Sequence, residues 1–358
     1  MSCLLEDYII DCAAGPFGSN LKVNCFVEEG FPIIDGANLQ GVKLTDNITK
    51  FVTEEKARTL GRSIAKRYDV VVTISGTLGQ IAFIPSDSKY EEYLCSQRQF
   101  RVTFDKSLVD VEYLTYYFHT KEGQKKILAF ANYVGVPALS SPLLNFKKIE
   151  VDFPSIDEQK RIVAILQTLD AKIALNRRMN EELEGMAKML YDYWFVQFDF
   201  PNEEGKPYKS SGGAMEYNAV LKREIPAGWK VKSIQEQFDV VMERISKEDT
   251  SQSNYAPIEV LPKRRMSFFE CAPIESAISG LCKFEKFDVL LSNRRVYFHK
   301  VCIAPFAGIT RDTVIVLRPL NMERLPYAYQ VLNTDHFISF ATRHSYGTEQ
   351  PVFSWDVT

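Results

Sequence analysis

The chain has 358 residues, 46% of them apolar and 25% charged, which excludes a disordered polypeptide and exceeds one ordinary domain. A formal net charge of −3 argues against a uniformly basic nucleic-acid binder but leaves room for local basic patches. No stretch reaches the roughly eighteen uninterrupted apolar residues that a membrane span needs, and Glu6 and Asp7 stand where a signal peptide would be apolar, so a cytoplasmic location is expected.

The seven cysteines are scattered without a C-x-x-C pair. Neither a disulfide framework nor a zinc knuckle is indicated, and small buried hydrophobes are the expectation. In chain order, the first feature is a basic stretch: Lys50, Lys56, Arg58, Arg62, Lys66 and Arg67. Its last four members fall near helical spacing and predict one basic face. Residues 70–84 read as strand, turn, strand. Gly76-Thr77-Leu78-Gly79 lacks the lysine and helix start of a phosphate-binding loop and reads as a hairpin turn. Gln97, Arg98 and Gln99 precede a strand over 100–104. A helical stretch over 111–131 carries Tyr113, Tyr116, Tyr117, Phe118, Ile127 and Leu128. A turn region with Gly135, Pro137 and Pro142 follows, then a strand over 149–153.

Between Pro154 and Phe198 the pattern predicts one long helix. Ser155 is its cap, with Glu158 completing a capping box. Only one glycine, Gly185, lies inside it. Its seam steps by four and three through Ile162, Leu166, Leu169, Ile173, Asn176, Asn180, Leu183, Ala187, Leu190 and Trp194. That is a heptad stripe with two polar members, over a helix about 60 Å long, and it calls for a partner helix. Asp157-Glu158-Gln159-Lys160 contains the Glu-x-Lys of some nucleases, but acidic residues in a first helical turn are expected as capping.

Residues 202–213 are polar and read as a linker. A second mixed region begins near Trp229 and repeats the order of the first. Phe287 to Ser292 parallels Tyr68 to Thr73, Val301 to Pro305 parallels Gln80 to Pro85, and Tyr346 to Pro351 parallels Tyr133 to Pro137. Lys263-Arg264-Arg265 and Asn293-Arg294-Arg295 lie in predicted loops. Arginine and lysine neutralise phosphates, while arginine, asparagine and glutamine can read base edges. Candidate DNA contacts are therefore Lys50, Arg58, Arg62, Lys66, Gln97, Arg98, Lys263, Arg264, Arg265, Asn293, Arg294 and Arg295. Neither an Asn/Asp-Pro-Pro-aromatic loop nor a glycine-rich cofactor loop is found, and His119, His299, His336 and His344 lack metal-ligand or triad spacing. No catalytic or metal residue is expected.

Taken with Gly15 to Lys22, Asp69 to Gly79 and above all Pro154-Ser155-Ile156-Asp157-Glu158-Gln159-Lys160-Arg161-Ile162, the sequence resembles the specificity subunit of type I restriction–modification enzymes. The resemblance implies an α+β fold with two target-recognition domains, over 1–153 and 226–358. A coiled-coil spacer helix over 154–200 and a linker over 201–225 would separate them. It implies recognition of a split site on double-stranded DNA, with modification (methyltransferase) and restriction (motor) subunits as partners. S-adenosylmethionine, ATP and magnesium would belong to those partners. The seam Ile162, Leu166, Leu169, Ile173, Asn176, Asn180, Leu183, Leu190 and Trp194 would be the helix interface. The pattern departs from the family in ending before a second spacer helix, so the expectation is either a truncated chain or a partner helix from another copy or another protein. The alternatives are a truncated assembly or regulatory fragment and a stand-alone nuclease or methyltransferase.

Overall fold

Val70, Val71 and Val72 form a strand buried on both faces, and this strand organises the first half of the chain. Successive side chains of a strand point to opposite faces. Val70 and Val72 accordingly enter one apolar cluster with Phe100, Val102, Phe118 and Ile127. Val71 enters another with Ala82, Ile84 and Tyr93. In this computed structural model, residues 3–246, 254–278 and 280–357 are described. They divide into two units, Met1–Ala174 and Leu175–Thr358.

The first unit is built on a four-stranded antiparallel sheet in the order Ile9–Ala14, Gln99–Phe104, Val70–Thr73, Ile81–Phe83. A five-stranded sheet also forms, with one parallel pairing between Phe31–Ile34 and Glu92–Cys95. The helical stretch expected over 111–131 is two helices, Val111–His119 and Lys121–Leu128. Thr120 breaks them apart with an extended backbone, and its side chain caps the second by accepting from Gly123 N. Gly123 has to be glycine, because a Cβ there would lie 2.3 Å from the Tyr117 carbonyl oxygen. A short hairpin, Ala131–Asn132 paired with Ala138–Leu139, follows.

The long helix runs over Ile156–Tyr191, 36 residues, and passes into a π-helical turn at Asp192–Val196. At 1.5 Å per residue its α-helical part is about 54 Å long. Ser155 Oγ accepts from Glu158 N at 3.4 Å, the expected cap. The glutamine that follows is its anchor. Gln159 is fully buried, accepts from Asp110 N at 2.8 Å, and donates to Pro154 O at 2.9 Å and Leu108 O at 3.3 Å. Asp110 is itself the cap of the helix Val111–His119. One amide side chain thus ties the start of the long helix to the helix pair of the first unit. Gln167 donating to Glu112, and Tyr116 donating to Asp170, continue that contact about two and three turns on.

The second unit repeats the sheet, with order Phe238–Val241, Val314–Pro319, Val289–Ser292, Val301–Ile303 and the same antiparallel pairings. The repeat extends to details. Tyr68 N bonds Ile84 O and Phe287 N bonds Ala304 O, with both residues at positive φ. Asp69 accepts from Lys66 N, and Asp288 accepts from Glu285 N. Thr334 caps the helix Asp335–Arg343 as Thr120 caps its counterpart.

Part of the stretch expected as a linker over 201–225 is a hairpin, Met215–Asn218 with Arg223–Pro226. Its polar composition signals a loop, but aromatic packing pins the segment. Phe200 stacks on Tyr208 and on Trp229 at 4.7 and 5.3 Å, and the Arg223 guanidinium lies over the Phe198 ring. Among the described residues no helix is long and apolar enough to cross a membrane.

Candidate nucleic-acid interface

One corner of the first unit gathers three loops. The turn after Val70–Thr73 is held by Ile74 N to Arg98 O at 2.6 Å, Leu139 N to Ile74 O at 2.8 Å and Gly76 N to Pro137 O at 2.9 Å. The Ser96–Arg98 turn and the tip of the hairpin, residues 133–137, therefore flank it. Tyr133, Val134 and Val136 stand out from that tip into solvent. Two clefts border the corner. One, about 680 Å³, is lined by Asp35, Gln40, Lys50, Gln80, Gln97 and Arg98 among others. The other, about 800 Å³, includes Phe17, Asn20, Arg62, Gln97 and Arg98.

The predicted contacts separate by their partners. Lys50 pairs with Asp35 at 2.8 Å. Burial pushes the Asp35 carboxyl up, but the Lys50 ammonium and Ala37 N outweigh it and hold it below the usual carboxylate range. Arg58 bonds Glu54 and Glu92, and Lys66 also reaches Glu92. Burial again opposes these cations at Glu92, and the cations win. Arg62, Gln97 and Arg98 have no side-chain hydrogen bond or ion pair among the described residues. The expected single basic face is not formed. The helix ends at Thr59, Arg62 lies in a 3-10 turn, and Lys66 closes the strand Ile64–Lys66, whose Ile64 and Ala65 are drawn into the core.

In the second unit the equivalent turn carries the same three bonds: Asn293 N to Thr313 O, Phe353 N to Asn293 O and Arg295 N to Pro351 O. Asn293 donates its amide to Asp312 O. Arg294 and Arg295 make no ion pair among the described residues, and Arg295 Nη2 donates only to Glu349 O at 3.3 Å. The other basic run is already engaged. Lys263 lies over the Phe298 ring, Arg264 pairs with Asp335 at 2.8 Å, and Arg265 pairs with Glu181 and Glu184 of the long helix. Glu184 also accepts from Met266 N at 3.0 Å, so this run fastens the loop to the helix.

Along the helix, Ile162 and Leu166 are half-buried, as are Ala187 and Trp194. Leu169, Ile173, Asn176, Asn180, Leu183 and Leu190 are exposed, Leu183 by 59%. A second stripe, not predicted from the seam, lies beside it: Leu175, Met179, Met186, Met189 and Tyr193 each precede a seam position by one residue and are exposed as well. The signal was present in the sequence as a second heptad offset by one. Gln159 was legible only as part of a motif, without its role. Among the described residues no group of three or more His, Cys, Asp or Glu is gathered to hold a metal ion.

Each unit carries the same four-stranded antiparallel sheet, and the chain holds one long helix. Residues 21–185 match the family described as the type I restriction modification DNA specificity domain. Over 184 residues the chain is 29% identical to the type I restriction enzyme MjaIX specificity subunit of Methanocaldococcus jannaschii, covering 51% of this chain and 38% of that protein. Over 51 residues it is 39% identical to the HindI specificity subunit of Haemophilus influenzae, covering 14% and 11%. The chain thus spans about two fifths or less of these curated relatives' own length. Among solved structures, the type I S subunit from M. genitalium aligns with a TM-score of 0.49 at 16% identity, covering 100% of this chain and 86% of that one.

Proposed function

We propose that the chain is a sequence-specific DNA-recognition subunit of a type I restriction–modification complex, reading a split site with one half-site per unit. The observation that carries this reading is the duplicated corner, at which each unit presents guanidinium groups without ion pairs on loops fixed by the same three backbone bonds. Phosphate contacts would position the units and base-edge contacts would specify. Arg62 lies at the cleft edge and suits a phosphate, whereas Gln97 and Arg98 suit base edges.

Methylation and cleavage, with S-adenosylmethionine, ATP and magnesium, would belong to modification and restriction subunits bound by this chain, which itself supplies no catalytic group. The two exposed apolar stripes of the helix support an assembly role, since a contiguous apolar face of this kind marks an interaction site. The test is selection from a random-sequence duplex pool by the full chain assembled with its methyltransferase partner. A motif of two short half-sites around a fixed gap is expected, and no sequence preference would overturn the reading. Turnover of DNA by the chain alone, given S-adenosylmethionine and magnesium, would overturn it in favour of an enzyme.

A further inference from the structure

We propose that Arg98 and Arg295 are equivalent base-reading arginines, one for each unit, delivered to the same corner of the repeated fold from two different sequence positions. The inference rests on the DNA-recognition reading above.

The register of the two sheets makes the equivalence explicit. Thr73 pairs with Gln99 as Ser292 pairs with Val314. Counting onward, Ile74 corresponds to Asn293, Gly76 to Arg295, and Arg98 to Thr313. The three backbone bonds that fix the corner join corresponding residues in both units. The arginine does not correspond, yet the guanidinium comes to the same corner. Arg98 reaches across from the neighbouring turn until Nη1 is 3.8 Å from where a Cβ on Gly76 would stand. In the second unit, where Thr313 is too short to reach, the arginine stands at the Gly76 position itself. A cationic fork at this corner is common to both units although no single residue is.

The backbone of Arg295 supports a functional reason for its place. Its φ is +48°, in the left-handed region that disfavours a side chain, where the first unit has glycine at +98°. Strained non-glycine positions of this kind concentrate at functional sites. The surroundings also leave the fork available. Neither arginine has an ion pair among the described residues, whereas Lys50, Arg58, Lys66, Arg264 and Arg265 are each matched by a carboxylate. Arg295 is half-buried, with Nε unpartnered and Nη2 on the Glu349 carbonyl of the adjoining loop, which orients the group. Arg98 is exposed, but its backbone is fixed by Ser96 Oγ to its N–H and by Ile74 N to its carbonyl. A planar guanidinium left without an acidic partner is suited to bidentate recognition of the guanine O6 and N7 atoms.

The test uses the full chain assembled with its methyltransferase partner and compares wild type with Arg98→Ala, Arg98→Lys, Arg295→Ala and Arg295→Gly in duplex selection. Titration of the selected duplex at several salt concentrations accompanies it. Arg295→Gly restores the residue of the first unit, so it keeps the fold and removes only the fork. Arg98→Ala is expected to relax one position of one half-site by about 5- to 150-fold, and Arg295→Ala and Arg295→Gly one position of the other. Arg98→Lys is expected to relax its position while retaining most overall affinity. If the arginine variants leave both half-sites intact, the inference is overturned. It is equally overturned if they weaken binding uniformly over all sequences with a salt slope shallower by about one, because both groups are then phosphate contacts. In either case a wild-type split motif leaves the recognition reading standing. A wild type that selects no split motif fails that reading and the inference with it.

Discussion

Replacing Gln159 by alanine tests how the long helix is fastened to the first unit. The side chain is fully buried and makes three hydrogen bonds, one accepted from Asp110 N and two donated to Leu108 O and Pro154 O. Each such bond contributes about 0.5–1.5 kcal/mol net, and a buried group left without its partner costs about 1–3 kcal/mol. Water entering the vacated space can satisfy part of this, so the expected loss is about 2–4 kcal/mol. For a unit of this size about 1 kcal/mol moves the melting temperature by roughly 2–4 °C, which gives a shift of about 4–16 °C. Calorimetry of the whole chain is the assay, with Lys160→Ala at the exposed neighbouring position as control. The transition of the first unit should fall while that of the second stays in place. A Gln159→Ala loss within about 0.5 kcal/mol of the control would refute the anchoring role.

Three further outcomes follow from the structure. Glu184→Ala should destabilise the second unit by about 1–2 kcal/mol, because it frees Met266 N as well as Arg265. Arg265→Ala, whose ion pairs are largely exposed, should cost about 1 kcal/mol or less, and the reverse order in denaturant titrations would contradict the fastening described. Leu169→Glu together with Leu183→Glu should reduce the solution mass of an associating chain without lowering its melting temperature, whereas an unchanged mass would show that the seam does not drive association. His299 is buried, and burial holds its imidazole below the ordinary value of 6.5 despite hydrogen bonding to Asn333. The unfolded chain therefore takes up the proton first. The stability this group contributes is present above pH 6.5 and is lost as pH falls through the lower folded value. His299→Asn should flatten that part of the stability profile, and an identical profile in the variant would count against it.

The long helix was legible because a four-three apolar step, a capping serine and the absence of proline agree from Ser155 to Tyr191. Val70–Thr73 was legible as a β-branched run of strand length. The break at Thr120 was not, since no proline marks it and the polar run Thr120 to Lys126 reads on as the exposed part of one helix, while only the close approach of Gly123 to Tyr117 forces the turn. The polar stretch around Tyr208 hid a packed segment because its aromatic partners, Phe200 and Trp229, lie on either side of it in the sequence.

The candidate interface was half legible. The basic residues were visible, but which of them remain free depends on acids far along the chain. Glu92 is 34 residues from Arg58, Asp335 is 71 from Arg264, and Glu181 is 84 from Arg265. Pairing at those separations is fixed by the tertiary fold rather than by local pattern. The correspondence of Arg98 with Arg295 was hidden for the same reason, because it exists only in the strand register.

Under the proposed function, two copies of one reading unit recognise two half-sites. Its most direct test is genome-wide methylation mapping in a host carrying this chain with its complete partner system. Methylation is expected at a motif of two short specific segments separated by a gap of fixed length and no sequence preference, lost when the chain is deleted. A single continuous motif, or a methylation pattern unchanged by the deletion, would contradict it.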